Sequence, residues 1–259
     1  MSSPDNQENF PMAIREELRA LSDLPYENLS KIVAFHQSGG LEKSLDLSVG
    51  WLESARESGV GGTCFSLTWF LAGRIRALGM ECAFLMADKG HARDIHCGLR
   101  FDWEGRSYLL DPGYMIFDPL PLPLAGLSCA CWVSPNEVRL EHIPDPGVWR
   151  LWSGLRGQSK HRFDFRQKPV NEAEFQAYWE NSYAFPMMAY PVLNRVHGGV
   201  QYYLQKRNLL VRTPEGGGMR KLSEAEFRAT LGETFGIPEA LAREAMEIVV
   251  RGNKNFFQA

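Results

Sequence analysis

The sequence lacks any apolar run long enough to cross a membrane, because no window approaches the roughly 18 apolar residues that a spanning helix needs. Its opening segment, MSSPDNQENFPMAIREEL, also lacks the apolar centre of a secretion signal. These two absences exclude a membrane partner and predict a protein of the cytoplasm.

A disulfide framework and a basic patch are missing as well. The five cysteines are odd in number and irregularly spaced, which is typical of free thiols in a reducing compartment. Cys129 and Cys131 could suggest a metal, but no second pair stands near them to complete a zinc site, so no metal is expected. The 28 basic and 31 acidic residues are scattered and leave a net charge of -3, which argues against a nucleic-acid partner.

Helical patterns dominate the first third of the 259 residues. Ile14, Leu18 and Leu21 recur at helical spacing, and the segments at 24–40 and 44–59 are shorter helical or turn segments. An apolar helix then runs from Cys64 to Leu78, and Gly79 is suited to end it.

Strand patterns follow. ECAFLMA, DIHCGLRFDW and RSYLLDPGY are β-rich, while the many prolines between 112 and 148 favour long connections and edge strands. The tail contains a hairpin, GVQYYLQKRNLLVRT, a glycine-rich connection, PEGGGMRK, and a helix with a capping box at Ser223 and Glu226. The layout is therefore helices, then antiparallel strands, then a small α/β end.

Cys64 stands out because it lies in the first turn of its helix, where Thr63 can act as the cap. Unpaired N–H groups and the helix dipole stabilise a thiolate there and lower the pKa of a cysteine. Gly61 and Gly62 would leave the approach to the sulfur free of side chains. A buried structural cysteine under a turn is the alternative interpretation.

A reactive thiol needs a base, and a hairpin supplies one. With Glu104 and Gly105 as its turn, the register puts four apolar side chains on one face and places His96 and Asp111 on the other. Asp111 then lies diagonally from His96, within reach to fix the imidazole tautomer. Alone, His96 could be a satisfied core histidine and Asp111 a turn residue; His91, in a loop, is a weaker candidate base.

These residues match a known family. The segments LPYENL, GGTCF, HCGL and YLLDPGY, with PLPL after the last, follow the order of the arylamine N-acetyltransferases, and the tail resembles the third domain of that family. The chain is identified as a divergent member, with the resemblance covering residues from about 10 to 240.

The resemblance implies an α+β fold with a cysteine-protease-like Cys–His–Asp core. It implies a helical bundle at 1–80, an antiparallel β-barrel-like domain at 81–195 and an α/β lid at 196–259. Cys64 would be the nucleophile, His96 the base and acid, and Asp111 the orienting group. The donor would be acetyl-CoA, transferred by a ping-pong reaction through a Cys64 thioester to a small-molecule aromatic amine or hydrazine. The loop with Tyr114 and Phe117 falls where the family builds its acceptor pocket.

Three positions depart from the family pattern. Val60 replaces the usual arginine before the glycines, Ser66 replaces a glutamate, and Pro112 stands where a small aliphatic residue is common. Glu27 thereby loses the partner that the family gives it, and must be solvated, re-paired or protonated. Two alternatives stay open: an amide synthase or hydrolase that uses the same triad with another acyl donor, and a non-catalytic binding module.

Overall fold

The computed structural model describes residues 9–38, 54, 57–155 and 157–258, so most of the predicted segment at 44–59 lies outside the described residues. The α-helices with described bounds are listed here in chain order: α1 (Met12–Ser22), α2 (Leu29–Ser38), α3 (Cys64–Ala77), α4 (Glu172–Asn181), α5 (Glu224–Glu233) and α6 (Glu239–Gly252). Within the described ranges, no helix combines the length and the apolar character needed to cross a membrane.

The predicted first helix and the predicted Cys64 helix are both confirmed. Helix α1 buries the three residues of its apolar stripe, Ile14, Leu18 and Leu21. Helix α3 is apolar almost all round, which is the pattern of a helix enclosed by its neighbours. Both helices contribute to one apolar cluster that also includes Phe101 and Tyr108 of the sheet described next.

A large antiparallel sheet forms the middle of the molecule. Its strands are β2 (Ala83–Lys89), β3 (Ala92–Trp103), β4 (Arg106–Asp111), β5 (Ile116–Pro121), β6 (Ser128–Val133), β7 (Asn136–Ile143), β8 (Val148–Leu155) and β9 (Gln158–Arg166). Their order is β5-β4-β3-β2-β9-β8-β7-β6. The two edge strands come close to each other, and Cys129 of β6 donates to the carbonyl oxygen of Pro121 in β5 at 2.9 Å. The sheet is therefore a nearly closed barrel, and the predicted α+β class is confirmed.

The β3–β4 hairpin has the predicted register. Trp103 pairs with Arg106, Phe101 with Tyr108 and Leu99 with Leu110. The side chains of the last two pairs meet the helices on one face of the sheet. Asp111 continues past this ladder to pair with Ile116 of β5.

A smaller antiparallel sheet combines the two ends of the chain. Its strands are β1 (Tyr26–Glu27), β10 (Val192–His197), β11 (Val200–Gln205), β12 (Asn208–Thr213) and β13 (Gly216–Lys221), in the order β1-β10-β11-β12-β13. The prediction of PEGGGMRK as a connection is wrong from Gly216 onward. Only Pro214 and Glu215 form the turn, and the glycines pair along β12, where an edge strand needs no apolar side chain.

Helices α5 and α6 pack on this smaller sheet in a second apolar cluster. The predicted capping box of α5 is confirmed: the Ser223 hydroxyl accepts from the Glu226 N–H, and the Glu226 carboxylate accepts from the Ser223 N–H at 2.8 Å. The segment boundary expected after residue 195 falls inside β10, and β1 of the first segment belongs to the sheet of the third.

Candidate active site

Cys64 opens helix α3 and is only 4% exposed. Thr63 occupies the N-cap position with an extended backbone, but its side chain makes no capping hydrogen bond, so the predicted cap is right in position only. The N–H groups of the first turn are consequently not used by that hydroxyl.

The two glycines before Cys64 have a different role from the predicted one. A Cβ on Gly61 would fall on the carbonyl oxygen of Pro25, and Gly62 has a φ of +129°, which side chains rarely allow. Gly62 also accepts the N–H of Glu27 at 2.9 Å. Both glycines therefore permit close packing of the Cys64 loop against β1, rather than clearing a path to the sulfur.

His96 and Asp111 meet as the register predicts. The Nε2–H of His96 donates to both Asp111 carboxylate oxygens, at 2.8 and 3.0 Å. Asp111 is fully buried and His96 is 4% exposed, so water does not screen this pair. The bond fixes the proton on Nε2 and leaves Nδ1 as the nitrogen free to serve another group.

Gly113 brings the cysteine and the histidine together. A Cβ at this glycine would lie 2.5 Å from Cβ of Cys64 and 3.3 Å from Cε1 of His96. Gly113 therefore packs against both side chains, and these two side chains hydrogen-bond with each other. Gly113 lies in a one-turn 3-10 helix, Pro112–Tyr114. Asp111 precedes this turn, and its Oδ1 accepts the Tyr114 N–H at 3.0 Å.

The electrostatics favour a thiolate–imidazolium pair. The pKa of Cys64 is lowered most by a hydrogen bond from Cys97, while burial raises it. His96 and Lys31 also lower it. The net result is a pKa of Cys64 well below its usual range. Burial lowers the pKa of His96, but Asp111 and Cys64 outweigh it and raise the pKa to about 10.

The two residues predicted to line the acceptor pocket, Tyr114 and Phe117, lie in different surroundings. Tyr114 meets the His96 ring edge-on, with the ring centroids 6.2 Å apart, and its hydroxyl hydrogen-bonds with Ser153 Oγ at 2.7 Å. Phe117 is half-buried in β5 against the apolar cluster of α1 and α3. The aromatic neighbours recorded for His96 among the described residues are Tyr114, Phe163 and Phe165.

Sequence reasoning missed Phe163, which stacks on the His96 ring at a centroid distance of 4.1 Å. Phe163 lies on β9, and β9 reaches the site by pairing with β2 and β8. Nothing in the sequence indicates a pairing between strands so far apart. Gly113 was also missed, although a glycine directly after an Asp–Pro pair is a signal of close backbone approach.

Among the described residues, no cation pairs with Glu27. It is fully buried; its Oε2 accepts the Ser30 N–H at 2.9 Å, and its Oε1 accepts the Ser30 hydroxyl. Burial raises the pKa of Glu27, against hydrogen bonds from Ser30 and Leu29 that lower it. Of the three possibilities left open by the sequence, burial favours the protonated one.

Metal ligands are not gathered at this site. In the part of the chain that the structure describes, no three His, Cys, Asp or Glu side chains are grouped so that they could hold a metal ion.

A family model described as N-acetyltransferase matches residues 17–243. No curated protein sequence matches the chain.

Solved structures of arylamine N-acetyltransferases share the fold. The enzyme from Mycobacterium abscessus has a TM-score of 0.77 at 20% identity, covering 93% of this chain and 87% of its own. The Mycobacterium marinum enzyme in complex with CoA has a TM-score of 0.74 at 20% identity, over 93% and 92% of the two chains. The Salmonella typhimurium enzyme has a TM-score of 0.68 at 17% identity, over 89% of each chain.

Proposed function

The chain belongs to the N-acetyltransferase family, and on that premise we propose that it transfers an acetyl group from acetyl-CoA to an aryl amine or hydrazine through a thioester on Cys64. The family confirms the predicted enzyme class. The donor is supported by the M. marinum relative, whose structure is a complex with CoA.

One observation carries the proposal. Asp111, His96 and Cys64 converge from a strand end, a neighbouring strand and a helix start. Asp111 hydrogen-bonds with His96, and His96 hydrogen-bonds with Cys64. A buried carboxylate, a histidine with a fixed tautomer and a thiol of low pKa are the components of nucleophilic catalysis by cysteine.

In the first half-reaction, the Cys64 thiolate attacks the thioester carbonyl carbon of acetyl-CoA. The carbonyl oxygen becomes an oxyanion, and the N–H groups of the first turn of α3 can stabilise it. When the intermediate collapses, the bond from carbon to the CoA sulfur breaks. The imidazolium of His96 gives its Nδ1 proton to the departing CoA thiolate, and an acetyl-Cys64 thioester remains.

In the second half-reaction, a neutral amine nitrogen attacks the acetyl carbon. His96 Nδ1 takes the amine proton, the bond from carbon to the Cys64 sulfur breaks, and the thiolate returns beside the imidazolium. Because the amine must be neutral, weakly basic aryl amines and hydrazines suit this step near neutral pH. Tyr114, beside the His96 ring, is the better placed of the two proposed acceptor contacts, Tyr114 and Phe117.

The three-part division of the chain belongs to the same proposal, with residues 196–259 acting as a lid that keeps water from the thioester. Hydrogen bonds support it: Arg212 of β12 donates to Asn136 Oδ1 at 2.8 Å, and Asn136 of β7 donates to Gln201 Oε1 at 3.1 Å. These bonds hold the smaller sheet against the barrel.

The test is to incubate the protein with acetyl-CoA in the absence of an acceptor and to measure the intact mass and the modified peptide. We expect one acetyl group on Cys64. The Cys64→Ala variant should stay unmodified, whereas Cys82→Ala should be acetylated normally, because burial raises the pKa of the Cys82 thiol to about 11 and makes it a poor nucleophile.

Acetylation at another cysteine, or undiminished acetyl transfer by Cys64→Ala, would overturn the nucleophile assignment. An unmodified wild type whose Cys64 is still rapidly alkylated by iodoacetamide would overturn the donor instead, and would favour an amide synthase with the same triad. After acetylation, addition of an aryl amine should return the protein to its original mass.

A further inference from the structure

Lys31 is a buried lysine to which the described residues supply no acidic partner. Only 8% of the residue is exposed, and none of the described ion pairs includes it. Its Nζ donates to the Ser182 hydroxyl, which in turn donates to the Trp179 carbonyl oxygen. A buried ammonium that lacks a counter-charge is costly, so the fold holds it there against a substantial desolvation penalty.

Aromatic rings line the rest of its surroundings. The Lys31 Nζ lies 4.3 Å from the ring centroid of Tyr183 and 5.9 Å from that of Phe65. Rings of this kind stabilise a cation without neutralising its charge. The positive charge of Lys31 therefore remains available to act on a nearby anion.

The chain path brings that charge to the nucleophile. Strand β1 is fastened to the Cys64 loop, because Glu27 donates its N–H to the Gly62 carbonyl oxygen at 2.9 Å. Helix α2 begins two residues after Glu27 and places Lys31 within its first turn, while Phe65 directly follows Cys64. Lys31 consequently lies in electrostatic range of Cys64.

We propose that Lys31 is a positioning residue that keeps Cys64 in its thiolate form, as a second buried cation beside the His96 imidazolium. This role rests on the proposed function of Cys64 as the nucleophile. It also accounts for the buried ammonium, since the thiolate is the counter-charge that the acidic residues do not supply.

The other titratable groups facing Cys64 do not replace this charge. Burial raises the pKa of Tyr26 on β1 well above its usual value, and burial likewise raises the pKa of Cys97 on β3, so both stay neutral. Burial lowers the pKa of Lys31 to about 8, which leaves it charged at neutral pH. The cations that act on Cys64 there are thus His96 and Lys31.

The experiment is to measure the rate of Cys64 alkylation by iodoacetamide from pH 5 to pH 10 in the full-length protein, with peptide mass spectrometry to confirm the site. In Lys31→Met the midpoint of the rate profile should move up by about one pH unit. At pH values below the midpoint, alkylation should therefore be roughly tenfold slower than in wild type, while the plateau rate at high pH stays unchanged. Lys31→Arg should restore the wild-type midpoint.

Lys206 offers a matched control, because its Nζ also lies over a tyrosine ring, 5.1 Å from the Tyr190 centroid, but on the smaller sheet. Lys206→Met should leave the alkylation profile unchanged. Should Lys31→Met fail to fold, Lys31→Gln provides the same loss of charge with a polar side chain that can still donate to Ser182.

A Lys31→Met or Lys31→Gln profile with the wild-type midpoint would overturn the proposal. A plateau lowered at every pH with no movement of the midpoint would also overturn it, since that result describes a packing role. Alkylation needs no acyl donor, so this result does not depend on whether acetyl-CoA labels Cys64. If acetyl-CoA is not the donor, the acetylation experiment above shows it and the alkylation profile is unaffected.

Discussion

Two carboxyl groups, of Asp111 and Glu27, are fully buried, and they are satisfied in different ways. Asp111, at the end of β4, accepts two hydrogen bonds from the His96 imidazole and one from the Tyr114 N–H. Glu27, at the end of β1, accepts from the N–H and hydroxyl of Ser30 and from the backbone of Leu29. One carboxyl faces a group that can become a cation, and the other faces neutral donors.

The difference teaches that burial alone does not make a carboxyl group an electrostatic element of a site. Without a cation, burial raises the pKa of Glu27 and favours its neutral form. Beside a group that can become a cation, the effect is different: Asp111 is a principal cause of the raised pKa of His96. We therefore expect Asp111 to matter for chemistry and Glu27 to matter mainly for local structure.

The largest effect that would test this contrast is expected for Asp111→Asn. The amide cannot stabilise an imidazolium and can favour the wrong tautomer of His96, so the acetylation rate of Cys64 should fall by about 10⁴-fold. Single-turnover acetylation by acetyl-CoA, followed by intact mass, measures this rate.

The Asn oxygen can still accept the Tyr114 N–H, so the 3-10 turn after it should persist and the variant should fold. A circular-dichroism spectrum and a melting temperature close to wild type are the control. A near-normal acetylation rate would show that Asp111 is only a turn residue, and the contrast with Glu27 would disappear.

A smaller effect is expected on the same side of the site for Gly113→Ala. The added methyl would lie 2.7 Å from Cα of Cys64, so the 3-10 turn must move away from the helix start. We expect a loss of about 1–3 kcal/mol in the free energy of unfolding in urea, accompanied by slower acetylation.

Gly232→Ala is the matched control, because a Cβ at this position in α5 meets no atom within 4 Å. This change should be neutral or slightly stabilising in the same urea titration. If Gly113→Ala behaved like Gly232→Ala, the close approach of the turn to Cys64 would not be a constraint on the site.

The smallest effect is expected for Glu27→Gln. An amide oxygen can replace the carboxyl oxygen as an acceptor for Ser30, and no ion pair is lost, so stability should change by less than about 1 kcal/mol near pH 5. The acetylation rate of Cys64 should stay close to that of wild type.

The pH dependence sharpens this last prediction. Because the pKa of Glu27 is raised in the folded state, the folded protein binds a proton that the unfolded chain has released, and wild type loses stability as the pH rises from the ordinary glutamate value through the folded value. Glu27→Gln should therefore gain stability relative to wild type between pH 4.5 and pH 8 in parallel urea titrations. A relative loss over this range would mean that an ionised Glu27 is stabilised in the fold.

Much of the site could be predicted because its key contact is local. His96 and Asp111 belong to one hairpin, and the alternation of Leu99, Phe101, Tyr108 and Leu110 admits only one register that buries these residues together. The position of Cys64 followed similarly from the apolar helix that it opens. The fold class came from the resemblance in the order of motifs.

The parts that were not predicted depend on contacts between distant segments. Phe163 reaches His96 only through the pairing of β9 with β2, and β13 was missed because glycines carry no strand pattern. The burial of Lys31 was not predicted either, since nothing in its sequence neighbourhood shows that Ser182 and Tyr183 cover it. Local patterns predict elements, whereas burial of a charge is decided by tertiary packing.

The pairing of β1 with β10 has a consequence for the order in which the molecule is made. Tyr26 pairs with Asn194 and Glu27 with Leu193, and the same short strand holds the Gly62 loop in front of Cys64. During synthesis, the loop before Cys64 therefore lacks its outer support until residues past 194 have left the ribosome, long after Cys64, His96 and Asp111. A nascent chain would carry all three groups before the strand that fastens this loop has its partner.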